Sequence, residues 1–255
     1  MTRPANPFAA SGAGEQYARG RPYHHPAALA RAASISGVSR FGRGLDVACG
    51  TGMSTRALAA VSERVVGIDR SPQMLAFAPS PPNGAYALSE AERLPFAGGS
   101  FDVVTVCSGV HWFDQSAFFV ECRRVLRPRG LVVLYDHYFL GEIPGVPEFA
   151  TWTRTLFDRY PLPARTPQVG DPRSEVPDGF EKIGEDFSAD GLDMTHDALV
   201  EYLLSISNVV DAVERGESAA AVRDWVSSTS APFFEGAASR PVRFLSTVVV
   251  LRRTN

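Results

Sequence analysis

What this 255-residue chain lacks narrows its possibilities before any motif is considered. It has three cysteines, Cys49, Cys107 and Cys122. An odd number without paired spacing excludes a disulfide framework and fits buried thiols in a reducing compartment. It has no long apolar run. The longest candidate, FLSTVVVL, is strand-sized, far short of the ~20 residues that cross a bilayer. It has no excess of one charge: 25 basic residues face 28 acidic ones, for a net charge of −3. Nothing there suggests a nucleic-acid footprint. The opening stretch, MTRPANPFAASGAGEQYARGRPYHHP, has no apolar core of a secretory signal. No internal repeat appears. These absences predict a cytoplasmic protein with neither a membrane nor a nucleic acid as partner. A composition of 45% hydrophobic and 21% charged residues is enough to build one large domain.

What is present is an alternation. Residues 1–20 are small and polar, and in isolation would be mobile. PAALARAASIS reads as a helix. GLDVA and RVVGID then read as strands, separated by the helix MSTRALAAV. SPQMLAFA follows as a helix with Ser71 as its N-cap and Pro72 in its first turn. AYAL, FDVVTVCS and LVVLYDH are strands. QSAFFVECRRVL is a helix whose Phe118, Phe119, Cys122 and Leu126 mark a buried face, and RPRG ends it. Continuous apolar strands alternating with helices predict a mostly parallel sheet covered on both faces. After His137 the rhythm breaks. Residues 138–180 carry many prolines and a helix around ATWTRTLFDRY, which suits a cover over a site. FEKIGEDFSA is a candidate sixth strand, THDALVEYLLSIS and SAAAVRDWVSST are helices, and PVRFLSTVVVLRR is the closing strand.

The chemistry concentrates in LDVACGTGMST. Gly50 and Gly52 remove side chains where a ligand must approach the backbone. The dinucleotide fingerprint needs a third glycine, and Met53, Ser54 and Thr55 stand in that stretch instead. There is no P-loop lysine. Asp46, ending the first strand, disfavours a phosphate and suits a cation or amine. Asp69 ends the second strand, 19 residues after Gly50, where an acid can take both hydroxyls of a ribose. A ligand with a ribose, no phosphate and a positive group fits S-adenosylmethionine.

At these residues the chain resembles the class I S-adenosylmethionine-dependent methyltransferases. LDVACGTG matches the family's first motif and VVGIDRSPQML its second. EAERLPFAGGSFDVVTV and ECRRVLRPRGLVVL resemble two later ones in the right order. RPRG departs from the usual proline-glycine-glycine, which alters only a turn. A finer resemblance, to the trans-aconitate methyltransferase branch, rests on YARGRPYHHP, HWFD and VEYLLSISNVV. The resemblance implies a Rossmann-like α/β fold with a mostly parallel seven-stranded sheet, helices on both faces and a lid insertion. It divides the single domain into a cofactor-covering segment at 1–25 and a cofactor-binding core at 41–137. A lid and substrate region with an interspersed sixth strand at 138–240 and a final strand at 241–253 complete it.

The same resemblance assigns roles. Asp69 takes the ribose. Ala48, Gly50 and Gly52 face the methionine moiety, with Asp46 supporting its amino group. Arg70 and Met74 pack on the adenine edge, and Glu90 and Ala91 recognise adenine, although the family usually has Asp at the Glu90 position. Ser108 contacts the cofactor through its backbone. Tyr17 and Arg21 belong to the covering segment, where Arg21 can meet the cofactor carboxylate. His111, Trp112, Phe113 and Tyr138 are the candidate substrate pocket. His111 is the candidate general base, although an ionised carboxylate acceptor would need none. Arg154, Arg159, Arg165 and Arg173 lie in the presumed cover, where a guanidinium can grip a carboxylate. His24 and His25 form a doublet that lacks further ligands in the sequence, so no metal is expected.

The implied reaction is in-line methyl transfer to a small molecule at oxygen, releasing S-adenosylhomocysteine. Two alternatives stay open. One is a methyltransferase-fold protein that binds the cofactor without transfer, such as a cyclase or binding module. The other is a nicotinamide oxidoreductase, disfavoured by the missing third glycine and by Asp46. The acceptor and the oligomeric state are not legible in the sequence.

Overall fold

Apolar strands that alternate with short capped helices can bury both faces of each strand in only a few ways, and one of them is realised here. The computed structural model describes Phe8, residues 12–163 and residues 175–255. Seven strands form one sheet: β1 (Phe41–Val47), β2 (Ser62–Asp69), β3 (Gly84–Leu88), β4 (Phe101–Cys107), β5 (Leu126–Phe139), β6 (Phe180–Met194) and β7 (Arg240–Arg253). Their order is β3-β2-β1-β4-β5-β7-β6. The first five run parallel, whereas β7 is antiparallel to both β5 and β6. The sheet is therefore mostly parallel, as expected. The strand order reverses between β1 and β4, and a crevice opens beyond their carboxyl ends at such a point.

Helices cover both faces. Phe118, Phe119, Cys122 and Val125 of α5 (Gln115–Val125) pack with Leu45, Ile68, Val104 and Val132 on one face. On the other, Ala28 and Leu29 of α2 (His25–Ser36) and Ala57 and Leu58 of α3 (Met53–Ala60) pack with Val65, Val103 and Val250. The short α4 (Pro72–Leu75) is capped by Ser71, whose Oγ accepts from the Met74 N–H at 3.3 Å. It ends at Leu75, short of the expected Ala78.

Four helices build a second apolar layer: α6 (Pro147–Arg159), α7 (His196–Leu204), α8 (Ser207–Glu214) and α9 (Ala219–Ser230). Phe149, Trp152, Leu156, Leu199, Leu203, Val209 and Val226 pack there with Phe244 of β7. The single helix expected over THDALVEYLLSIS ends at Leu204, and the chain restarts at Ser207. That break leaves the Ser205 carbonyl free of the helix ladder.

The amino-terminal segment differs from the expectation for an isolated peptide. Residues 13–20 form α1 (Ala13–Gly20). Two glycines let it lie close between two neighbours: a Cβ at Gly14 would come within 2.7 Å of the Gln73 carbonyl, and one at Gly20 would collide with the Glu201 backbone. Gln16 Nε2 and Arg19 Nε each donate to the Glu201 carboxylate at 2.9 Å. Tertiary contact thus orders a stretch with little intrinsic drive to fold. In the RPRG turn, Arg129 takes the left-handed conformation, φ 64°, at the start of the core of β5. Among the described residues no helix is long and apolar enough to cross a membrane.

Candidate functional site

The loop from β1 into α3 is held by two acids. Asp69 lies at the end of β2, and its Oδ2 accepts the Gly50 N–H at 2.8 Å while its Oδ1 accepts the Ser71 N–H at 2.8 Å. Gly50 and Gly52 have φ of 54° and 78°, and a Cβ on Gly52 would run into the Tyr86 hydroxyl. Ala48 and Ser108 also hold left-handed backbone, φ 57° and 50°, at the ends of the two strands that flank the crevice. Non-glycine residues there store strain, which collects where a backbone must present itself to a ligand.

Asp46 is placed differently from its expected role. Its carboxylate is fully buried and accepts from Ser54 Oγ at 2.6 Å, Thr55 Oγ1 at 2.7 Å and Thr105 Oγ1 at 2.8 Å. It ties β1, β4 and the first turn of α3 together behind the loop and does not line the crevice. Three hydroxyl donors hold it behind the loop, so any support it gives to a ligand amine is indirect, through the loop or a water.

The crevice holds a cleft beside the loop. Of the expected residues, Tyr17, Ala48, Gly50, Asp69, Met74, Ser108, Trp112 and Phe113 line it. Phe113 is thus a buried wall of this cleft and not of the neighbouring substrate space. Gly52, Arg70, Glu90 and Ala91 do not line it: Gly52 shapes the loop from behind, Glu90 is exposed, and Ala91 is packed into the core. Phe8, His25, Cys49, Thr51, Met53, Ser54 and Cys107 are lining residues that sequence reasoning missed. The glycine motif could have pointed to Cys49 and Thr51. No local signal pointed to Phe8, whose carbonyl accepts from Ser71 Oγ at 2.9 Å.

A second, larger chamber adjoins the cleft and shares Phe8, Tyr17, Ser108 and Trp112 with it. His111 and Tyr138 line it as expected, joined by Asp136, His137, Phe139, Phe157, Tyr202 and Asn208. Arg21 lines this chamber and not the cleft. Its guanidinium lies 4.8 Å from the Tyr17 ring centre and 5.3 Å from that of Tyr202. Nη2 donates to the Ser205 carbonyl at 3.0 Å, while the buried Nε has no hydrogen-bond partner. The arginines of the presumed cover do not reach this chamber: Arg154 donates to Thr151 at 2.9 Å, and Arg159 packs over the Trp225 ring at 4.8 Å. Arg165 and Arg173 lie outside the described residues.

Residues 45–134, which hold the loop, both acids and Ser108, match the family described as methyltransferase domain. Over that segment the chain is similar to a methyltransferase domain. A candidate methyltransferase of Dictyostelium discoideum is 30% identical over 142 residues, 54% of this chain and 53% of that one. The 2-methyl-6-phytyl-1,4-hydroquinone methyltransferase of Synechocystis sp. is 42% identical over 98 residues, 36% of this chain and 31% of its own. The chain spans about half or less of the length of these curated relatives. A solved structure from Anaeromyxobacter dehalogenans, described as a candidate type II methyltransferase, superposes with a TM-score of 0.68 at 24% identity, over 92% of this chain and 97% of that one. That likeness shows a shared methyltransferase fold over nearly the whole chain. The trans-aconitate branch is not singled out by these relatives.

Burial sets the electrostatics of the site. It raises the Asp69 carboxyl, against the backbone hydrogen bonds that favour its anion. It pushes the Asp46 carboxyl up to about 6, against its three hydroxyl donors. Beside the chamber, His137 stacks between His24, at 4.4 Å, and Phe244, at 4.3 Å. Burial lowers His137 to about 3 and His24 to about 4. These imidazoles are neutral at physiological pH, which leaves Arg21 as the fixed positive charge on that wall.

Proposed function

We propose that this chain binds S-adenosylmethionine in the cleft and moves its methyl group to an oxygen of a small acidic molecule held in the chamber, with S-adenosylhomocysteine as product. The observation that carries the reading is the shared wall. Phe8, Tyr17, Ser108 and Trp112 belong to both spaces, with a carboxylate at the donor end and a guanidinium at the acceptor end.

The residues present fit the donor. Asp69 lines the cleft with its carboxylate already oriented by the Gly50 and Ser71 N–H groups, which suits it to accept from a ribose hydroxyl. A Cβ at Gly50 or Gly52 would impose strain on the loop beside it. When bound, the cofactor supplies a methyl group made electrophilic by the sulfonium. The protein's part is then alignment and exclusion of water. Ala48 and Ser108 present backbone from opposite sides, Met74 packs beneath the loop, and Asp46 holds the strands in register from behind. In this reading α1 and the α6–α9 layer are the cover, and Tyr17 and Phe8 close the passage to solvent.

On the acceptor side, Arg21 has an unsatisfied Nε and no carboxylate partner among the described residues, which favours an anionic ligand. Trp112, Tyr138, Phe139 and Tyr202 offer aromatic walls that also suit a phenolic ring, such as the hydroquinone named for the Synechocystis relative. The family match ends at residue 134, ahead of most of these walls, so the similarity supports the donor half and the chamber alone supports the acceptor. A carboxylate or phenolate attacks as the anion. His111 is placed to take a proton only from a neutral hydroxyl acceptor.

Calorimetric titration with S-adenosylmethionine and S-adenosylhomocysteine, with NADH as control, tests the donor. Labelled methyl transfer to a panel of small carboxylic acids and phenols tests the acceptor. Binding that is lost in Asp69→Ala, followed by transfer to an acid, supports the proposal. No binding by the folded wild type, or tighter binding of NADH, overturns it. Binding without transfer to any member of the panel favours the non-transferring alternative.

A further inference from the structure

The doublet His24–His25, short of ligands in the sequence, gains a third in the fold. Strand β4 carries Cys107 to it. Cys107 Sγ lies 3.7 Å from His24 Nε2, and one ligand atom from each of the three residues lies within 4.8 Å of the others. The two imidazoles stack at 4.4 Å. His24 Nδ1 faces the Pro22 carbonyl at 3.3 Å. A carbonyl only accepts, so the proton sits on Nδ1 and Nε2 turns its lone pair toward the sulfur. His25 Nδ1 is engaged by the Tyr135 hydroxyl at 3.1 Å. Each imidazole therefore has one nitrogen oriented by an outer oxygen, as metal-bound histidines do.

The spacing suits a particular class of ion. Tetrahedral zinc, at about 2.0 Å from nitrogen and about 2.3 Å from sulfur, sets those two ligands about 3.6 Å apart. The His24–Cys107 pair already stands at 3.7 Å. The His25 ligand atom lies within 4.8 Å of the other two and has to draw nearer to complete the set. Two imidazoles and one thiolate are a borderline-soft donor set, which excludes calcium and magnesium. Both rings are neutral at physiological pH because they are buried. Burial also holds the Cys107 thiol protonated, so capture of a cation releases one proton to solvent.

We propose that His24, His25 and Cys107 form a binding site for one divalent cation of the zinc class. A fourth position is left for water or for a ligand entering by the cleft, whose wall His25 and Cys107 help to form. The site borders the donor cleft, but none of its three residues is assigned to holding donor or acceptor, and cation uptake can be read without any methyl transfer.

Tag-free, chelator-treated whole protein titrated with Co²⁺ and then Zn²⁺ tests it. The expected result is one equivalent of Co²⁺ with visible bands and a near-ultraviolet thiolate-to-cobalt band, displaced by Zn²⁺. Calorimetry in buffers of different ionisation enthalpy should show about one proton released. Cys107→Ser should lose the thiolate band, His24→Asn should weaken binding about tenfold or more, and Cys122→Ala should change neither. Circular dichroism and melting confirm that the variants fold. Absence of cobalt uptake by the folded wild type, or a thiolate band that survives in Cys107→Ser, overturns the proposal. In the first case the cluster is only a hydrogen-bonded network; in the second the cation sits on another thiol.

Discussion

Asp69 accepts the Gly50 backbone N–H at 2.8 Å, so the carboxylate that ends β2 fixes the loop that ends its neighbour β1. The other oxygen accepts the Ser71 N–H at the start of α4. Replacing Asp69 by alanine strands those backbone donors and, in the proposed reading, removes the group that binds the ribose. Charge-assisted hydrogen bonds contribute about 1.5–3 kcal/mol each. Asp69→Ala is expected to weaken S-adenosylhomocysteine binding more than about tenfold and to lower the melting temperature. Asp69→Asn, which turns an amide donor against one of the same N–H groups, should fare little better. Unchanged affinity in either variant, measured by calorimetry, would remove Asp69 from the site.

Asp46 gives a pH signature. Its folded pKa, about 6, lies above the ordinary value of 3.8. Between those values the unfolded chain has lost this proton and the folded chain retains it, so stability falls as pH rises through the window. Two units correspond to about 3 kcal/mol. The stability of the wild type relative to Asp46→Asn, from urea unfolding, should therefore decline by up to that amount between pH 4 and pH 6 and level off above. A difference that stays flat across the window would show that Asp46 does not titrate as its burial implies.

Glu201 works in the opposite direction. Its hydrogen bonds from Arg223 and Gln16 hold its carboxyl near 2, below the ordinary 4.5. The stabilisation is complete above 4.5 and is lost as pH falls toward 2. Because the group is partly solvated, Glu201→Gln should cost about 1–2 kcal/mol at neutral pH. The gap in melting temperature from wild type should narrow below pH 4.5. Since Glu201 also anchors α1, amides 13–20 should exchange faster in the variant, and equal exchange rates would argue that the glycine packing alone holds the helix.

Arg21 separates two assignments. Its place in the chamber predicts that Arg21→Met raises KM for an acidic acceptor about tenfold or more and leaves the Kd for S-adenosylmethionine within about twofold. Arg21→Lys should recover only part of the loss, because an ammonium cannot match the planar fork. A large rise in cofactor Kd with KM unchanged would instead return Arg21 to the cofactor carboxylate, the role suggested by resemblance.

Much of the fold was legible because its signals are local. Apolar runs with little polar interruption set the strands, Ser71 and Pro72 set the start of α4, and Gly50 and Gly52 set the loop whose backbone needs positive φ. The cleft-lining residues Ala48, Gly50, Asp69 and Met74 lie among those signals. Where the local signal was incomplete, boundaries moved. The helix over THDALVEYLLSIS broke at Ser205, and β6 ran on to Met194 beside β7.

The sequence by itself therefore determined the order of strands and helices, the left-handed loop and the acid that anchors it, because each depends on residues a few positions apart. Only the tertiary structure decided which side chains share a space. Asp46 turned to three hydroxyls because Thr105, on another strand, lay within 2.8 Å of it. Arg21 faced the chamber because the break after α7 offered the Ser205 carbonyl 184 residues away. His24 met Cys107 across 83 residues of chain. Contacts of that separation follow from how the sheet stacks its elements, and no window of sequence contains both partners.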